Sequence, residues 1–477
     1  STPSNSSAAS DVYKRQDEEA EFGREATVAE KGFFILPSEL FQTVRASVMQ
    51  GAANQNENLE HLNETLERAF KNIEASAIGT ESEKDLKGLF DDIDVNSAKL
   101  GNTVTERNKK LAKLLEKIGS LDFGGEFKEN RIDAFGDAYE YLMNMYASNA
   151  GKSGGEFFTP QDVSELLARI TLVGREEADI KRVYDPCCGS GSLLLKFSKI
   201  YGNDADIDYF GQEINLTTYN LCRINMFLHD INFDKFDIAL GDTLKEPAHW
   251  DYEPFDSIVS NPPYSIKWEG KSNPTNINDP RFSPAGVLAP ESKADLAFTL
   301  HMLSWLATDG TAAIVEFPGV LYRGGAEGKI RKYLVSNNFV ETIIQLPKEM
   351  FFGTSIATCI IVLKKSKTTN DVLFIDASEE HSREGTRNIF TEKNMEKILH
   401  TLETREEVEY FSKKVDNDKI IENDSNLSVS SYVEKEDTRE QINIEELNEE
   451  IKKIVAREQE LRDQIDAIVS DLESGDK

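Results

Sequence analysis

The spacing of apolar residues divides the chain into three regimes. Through residues 25–150 they recur at helical intervals in a polar background. Leu59, Leu62, Leu66, Phe70 and Ile73 form one face, and Leu111, Leu114, Leu115 and Ile118 form another. The apolar-rich stretch Glu140–Tyr146 suits a further helix, and strand signals are scarce, so this region is expected to be an N-terminal helical domain.

From 151 to 435 the pattern alternates between strand and helix. A strand is expected at Val183–Asp185, then the tight glycine turn Pro186–Ser192, then a helix over Leu193–Ile200. Strands follow over Asp208–Gln212, Phe236–Leu240 and Phe255–Ser260, with a helix from about Thr217 to Leu228 between the first two. Beyond a long irregular insertion come a helix over Leu296–Ala307, a strand over Thr311–Phe317, a basic helix over Lys329–Val335, and strands over Val340–Leu346 and Thr358–Leu363. Such alternation predicts an α/β fold, a Rossmann-like, doubly wound sheet of seven strands, mostly parallel. No clear helix joins the last two strands, which suggests an antiparallel hairpin at the sheet edge, because a parallel pair needs a crossover. Residues 366–435 are mixed, with one strand at Val372–Ile375 and a charged helix near Thr391–Leu402.

In the tail, 436–477, Ile444, Leu447, Ile451, Ile454, Leu461, Ile465, Ile468 and Leu472 fall on alternating three- and four-residue steps, with Glu458 the only polar member. About four heptads of this kind predict a C-terminal coiled-coil helix that docks a partner. The same stripe would also serve a helix packed back on its own domain.

Composition narrows the class. A chain of 477 residues, 39% hydrophobic and 29% charged, suits a soluble protein of two or three domains. No apolar run is long enough to span a bilayer, so no membrane partner is expected. The head, residues 1–24, is polar, has no hydrophobic signal core and starts without Met; Ser1 to about Gln16 reads as a disordered or foreign, tag-like segment. The four cysteines show neither metal spacing nor a disulfide framework, so no metal is expected and a reducing cytoplasm is the simple inference. The net charge of −31 argues against a chain that grips nucleic-acid phosphates alone. Either a partner supplies the grip, or the acidity only keeps the protein soluble.

Candidate chemistry gathers at the strand ends, where open α/β sheets bind ligands. Asp185, Glu213, Asp242 and Asn261 each end a successive strand. Gly189 and Gly191 let the backbone approach a ligand closely, Glu213 is placed to accept from ribose hydroxyls, and Asp242 could accept from an adenine amino group. The turn lacks a third glycine, which disfavours a pyrophosphate and favours a nucleoside with an amino-acid tail; S-adenosylmethionine has that shape, and its cation suits an acidic pocket. Asn261-Pro-Pro-Tyr264 is a rigid turn offering an amide oxygen, a carbonyl and an aromatic face, a site for a planar amine. Together these predict methyl transfer to an exocyclic nitrogen, with the base flipped out and stacked on Tyr264 and on Phe351 or Phe352. The only Pro-Cys, Pro186-Cys187, lies in the cofactor turn, which excludes cytosine C5 chemistry through a thiolate. Residues 149–160, ending Glu156-Phe-Phe-Thr-Pro160, read as a linker with Thr159 starting a helix at about Gln161, or as a flap over a small ligand.

The motifs Phe157-Phe-Thr-Pro160, Asp185-Pro-Cys-Cys-Gly-Ser-Gly-Ser192, Asn261-Pro-Pro-Tyr264 and Phe351-Phe-Gly-Thr-Ser-Ile-Ala-Thr-Cys359 stand in the order of amino-group DNA methyltransferases whose cofactor motifs come first. Over about residues 30–472 the chain resembles the modification subunit of type I restriction–modification systems, an N6-adenine DNA methyltransferase; Asp295–Phe298, Gly319–Gly325 and Asn423–Tyr432 share that resemblance. It implies cofactor contacts at Phe157, Phe158, Thr159, Pro160, Asp185, Gly189, Ser190, Gly191, Glu213, Asp242 and Phe298, and catalytic roles for Asn261, Pro262 and Tyr264. It also implies DNA as substrate, a specificity subunit shared by two modification subunits, and a separate restriction subunit. In that family the N-terminus begins further upstream, so the head is expected to be replaced or truncated. Lys267, Lys271, Arg281, Arg323, Lys329 and Arg331 could meet DNA phosphate, or could be a solvated face. Two other readings stay open: a methyltransferase for a protein glutamine or an RNA base, and an inactive assembly subunit, which predicts damage to the polar set that is not visible.

Overall fold

A computed structural model describes residues 20, 22–50, 57–120, 159–175, 180–202, 205–250, 253–351, 355–385, 387–436 and 444–474. The stretch Glu140–Tyr146, the boundary expected near 150 and most of the head lie outside these residues. Residues 24–119 are helical where described: α1 (Arg24–Lys31), α2 (Phe41–Gln50), α3 (Glu57–Glu60), α4 (Leu62–Ser76), α5 (Glu83–Leu86) and α6 (Val104–Gly119). The start of α6 is fixed by Thr103, whose hydroxyl accepts from the Glu106 N–H in a capping box. The expected apolar faces meet there, with Leu62 and Leu111 buried and Leu59, Leu66 and Phe70 packed beside them.

The strands are β1 (Arg182–Asp185), β2 (Asp208–Glu213), β3 (Phe236–Leu240), β4 (Phe255–Ser260), β5 (Leu306–Glu316), β6 (Val340–Gln345), β7 (Cys359–Lys364), β8 (Asp371–Asp376), the hairpin pair β9 (Ser382–Glu384) and β10 (Arg387–Ile389), and β11 (Ser412–Asp416). Nine of them form one mixed sheet in the order β11-β8-β6-β7-β5-β4-β1-β2-β3, two more than expected. The extra pair comes from the mixed region: β8 runs parallel to β6, and β11 closes that edge antiparallel to β8. The sixth-to-seventh link is antiparallel, but β7 is not at an edge; it sits between β5 and β6. Its apolar run Cys359–Leu363 is buried throughout, which suits an interior strand covered on both faces.

Helices cover both faces. On one, α7 (Gln161–Leu172), α8 (Ser192–Tyr201), α9 (Leu216–Leu228) and, later in the chain, a helix over Glu392–Thr404 close a core around Leu166, Phe197 and Met226. On the other, α10 (Asp295–Trp305) and α11 (Ala326–Ser336) pack Met302 and Ile330 against Ile314 and Ile361. The remaining helices are α12 (Glu392–Thr404), α13 (Asn417–Glu422) and α14 (Ile444–Ser474).

One buried cation ties the helical layer to the sheet. Arg223 of α9 donates to the carbonyl oxygens of Asp85 at 3.0 Å and Lys87 at 3.1 Å, and to Asn220 Oδ1 at 2.6 Å. These carbonyls end α5, where a cation complements the helix dipole. The chain divides into two compact units, Ser1–Glu434 and Lys435–Lys477, so the helical layer belongs with the sheet. The second unit is α14, whose Leu447, Ile451, Ile454, Leu461, Ile465, Ile468 and Leu472 are all exposed. Among the described residues no helix is long and apolar enough to cross a membrane.

Candidate active site

Strands β1 to β4 are parallel neighbours in the order β4-β1-β2-β3, so the residues following them land on one edge of the sheet. A cavity of about 390 Å³ opens there. Its lining brings together Thr159, Gly189, Ser190, Glu213, Asp242, Asn261 and Phe298 of the sequence-derived set. Asp185, Pro160, Gly191, Pro262 and Tyr264 are not lining residues; Tyr264 is partly buried against the core beside Asn261.

Gly191 has φ 84°, and a Cβ there would lie 2.9 Å from Cys222 Sγ, so only glycine lets the turn pack this close to α9. Glu213 holds the turn in place: its Oε2 accepts from Gly189 N–H at 3.0 Å and its Oε1 from Asn215 N–H at 2.7 Å. Asp242 Oδ1 accepts from Leu244 N–H at 3.0 Å. Asp185 is fully buried, with Oδ1 accepting from Cys187 N–H at 2.9 Å and from Ser260 Oγ at 2.8 Å, while Oδ2 has no partner. Burial pushes its carboxyl up to about 7, against the pull of those two hydrogen bonds.

The Asn-Pro-Pro-Tyr turn is braced from two sides. Asn261 Nδ2 donates to Thr159 Oγ1 at 3.0 Å, and the Ser265 N–H donates to Asp295 Oδ1 at 2.9 Å. Thr159 was expected to start a helix; Pro160 takes the N-cap position of α7 instead, and the Thr159 hydroxyl is spent on Asn261. Tyr264 Oη donates to Asn261 Oδ1 at 2.6 Å. Burial and nearby carboxylates raise the Tyr264 hydroxyl well above its usual range, which keeps it a donor.

Several expectations change. Phe351 is buried in the core beside Met350, so it is not a free stacking face; Phe157, Phe158 and Phe352 lie outside the described residues. Arg281 and Arg331 are buried and cannot face phosphate. Arg281 donates to the carbonyls of Thr243 at 2.9 Å and Leu244 at 2.8 Å and pairs with Asp279, while Arg331 donates to Ser425 O at 2.8 Å and Val320 O at 2.9 Å. Arg323 is half-buried against Glu327 at 3.5 Å. Lys271 and Lys329 are exposed, and exposed Lys267 belongs to the cavity lining. Sequence reasoning passed over Trp268, which also lines the cavity and donates from its ring nitrogen to Pro290 O at 3.0 Å. Its apolar alternation with Ile266, just past the turn, was the available signal.

Comparison with known proteins adds the family. The model for N-6 DNA methylase matches residues 130–441. A type I restriction enzyme methylase subunit (MpnII) of Mycoplasma pneumoniae is 49% identical over 462 residues, covering 94% of this chain and 83% of that protein. Another (MjaVII) from Methanocaldococcus jannaschii is 32% identical, covering 75% of this chain and 66% of that one. The crystal structure of a type I restriction–modification methyltransferase subunit from Streptococcus thermophilus superposes with a TM-score of 0.78 at 39% identity, covering 89% of this chain and 86% of the other. The chain belongs to the N-6 DNA methylase family, among the methylase subunits of type I restriction enzymes.

Proposed function

We propose that this chain, a DNA adenine methyltransferase of the type I restriction–modification kind, holds S-adenosylmethionine in the strand-end cavity and the adenine amino group on the Asn261 turn. The observation that carries this reading is that one cavity is lined both by Glu213 and Asp242 and by Asn261. The residues fit the cofactor: two carboxylates and one lysine line the cavity, and the buried Asp185 has an acceptor oxygen without a donor. Glu213 would accept from ribose hydroxyls, Asp242 from the adenine amino group, and Asp185, buried behind the lining, would act on the ammonium through the turn it holds. Bound there, the cofactor supplies an electrophilic methyl group.

The chain's own part is positioning. An exocyclic amine is a weak nucleophile because its lone pair is delocalised into the ring. Asn261 Oδ1 and the Pro262 carbonyl would accept its two hydrogens, drawing the lone pair out of conjugation and aiming it. Tyr264 would stack on the base once its hydroxyl leaves Asn261.

The acidic surface and the exposed stripe of α14 support a chain that meets DNA through others. A specificity subunit would dock on α14 and bring the target, with two methylase subunits to each, and a restriction subunit would join the full complex. All four cysteines are free, which suits work in the reducing cytoplasm. In the assembled complex Asn261→Ala should abolish methyl transfer to duplex DNA while S-adenosylmethionine still binds. A comparable rate of methylation by that variant would overturn the assignment.

A further inference from the structure

Two carboxyl groups behind the Asn261 turn have no task in the mechanism above. Asp295 is the first residue of α10 and Glu316 the last of β5, and they are 1% and 0% exposed. One oxygen of each is used: Asp295 Oδ1 by Ser265 N–H, and Glu316 Oε1 by Thr299 Oγ1 at 3.1 Å. The second oxygens, Asp295 Oδ2 and Glu316 Oε2, are buried without a hydrogen-bond partner. Two ionised carboxylates in that position would be like charges in a low dielectric, each with one oxygen left without a hydrogen bond. Burial, reinforced by the Asp295 charge, holds the Glu316 carboxyl well above the usual range, against the hydrogen bonds from Thr299 and Phe317. Glu316 is therefore the member of the pair that burial pushes toward holding its proton.

What the pair touches gives it a role. Ser265 directly follows Tyr264 and has φ 52°, a conformation that a non-glycine residue keeps only where its surroundings hold it. Asp295 supplies that hold. The charges of Glu316 and Asp295 also bear on the Tyr264 hydroxyl, the donor to Asn261.

We infer that Asp295 and Glu316 are a positioning pair for methyl transfer: Asp295 grips Ser265, which sets Asn261 and Tyr264, and Glu316, held by Thr299 of the same helix as Asp295, supports that grip from behind. This rests on the reading of the Asn261 turn as the element that holds the amine. The other groups facing the pair are Tyr264 from the turn, Cys359 from β7, and Glu327 of α11 with its partners Arg323 and Lys293. As pH rises through the raised pKa of Glu316, a buried charge appears on Glu316 beside Asp295, the grip loosens, and turnover falls on the alkaline side.

The test uses the complex with its specificity subunit and a target duplex. It measures the pH profile of kcat, S-adenosylmethionine binding and thermal unfolding for Glu316→Gln, Glu316→Ala, Asp295→Asn and Asn261→Ala. Glu316→Ala and Asp295→Asn should lose kcat by about 100-fold, the scale of a misplaced reacting group. Glu316→Gln, which keeps a neutral donor, should recover most of the neutral-pH loss and lack the alkaline limb. Cofactor affinity should hold in the Glu316 and Asp295 variants, because neither residue lines the cavity. Glutamine as inactive as alanine, or an alkaline limb unchanged in Glu316→Gln, overturns the inference. Should Glu316→Ala fail to fold, the pH profile of Glu316→Gln decides alone. A fully active Asn261→Ala would sink the underlying reading instead, whatever the pair does.

Discussion

Tyr264 Oη donates to Asn261 Oδ1 at 2.6 Å, so the tyrosine uses the oxygen that, on the proposed reading, would receive the adenine amino group. Entry of the base would then exchange one hydrogen bond for another. Tyr264→Phe keeps the ring and frees the oxygen. A net hydrogen bond is worth about 0.5–1.5 kcal/mol, so Tyr264→Phe should capture a flipped adenine up to about tenfold more tightly. Tyr264→Ala loses the stacking face, worth about 1–3 kcal/mol, and should capture it more weakly. Fluorescence of 2-aminopurine at the target position measures both. Weaker capture by the phenylalanine variant would show that the hydroxyl helps the base rather than competing with it.

If Asp185 balances the charge of the cofactor, as proposed, cofactor binding should depend on pH. Desolvation lifts its carboxyl to about 7, and its Oδ2 has no partner. A raised pKa means that the group is protonated below that value and must give up a proton to meet a cation. Affinity for S-adenosylmethionine should therefore fall about tenfold for each pH unit below about 7, and level off above it. Calorimetry in buffers of different ionisation heat would detect the released proton. Asp185→Asn should bind weakly with a flat profile; a wild-type affinity independent of pH would remove Asp185 from the cofactor's charge balance.

The strands that carry the site are legible because each of β1 to β4 is a short run with a polar residue at its end or within two residues past it, and local pattern alone sets such boundaries. Pairing is not local. Nothing in Cys359–Leu363 says whether it borders one strand or two, so β7 was expected at an edge and lies inside. Phe351 and Arg281 failed for a related reason. A loop phenylalanine looks the same whether it faces a base or a core, and Arg281 looks like a phosphate ligand until the carbonyls of Thr243 and Leu244 are seen around it. The bond between Thr159 and Asn261 is not legible in the sequence because the two residues are 102 positions apart.

Arg223 should be the residue whose loss most loosens the helical layer from the sheet. It is 1% exposed, donates to the last carbonyls of α5 and lies over the Tyr219 ring at 4.2 Å. Removing it leaves those carbonyls and Asn220 without their donor, a loss of about 3 kcal/mol. Arg223→Ala should lower the denaturation midpoint accordingly, read by urea titration. An unchanged midpoint would mean that apolar packing alone joins the two layers.

The exposed stripe of α14 makes the sharpest claim about assembly. Ile451 and Ile465 are 48% and 59% exposed, and both lie on the heptad seam. A helix of 31 residues with such a seam could lay its apolar face against a second helix in a coiled coil. Charges placed there spare the helix, because glutamate is a good helix former, yet they cannot be buried unpaired in a coiled-coil interface. The double substitution Ile451→Glu and Ile465→Glu should therefore abolish co-purification with a specificity subunit, leaving S-adenosylmethionine affinity and the melting of the catalytic unit as they are. Complex formation that survives both charges would place the docking surface elsewhere on the chain.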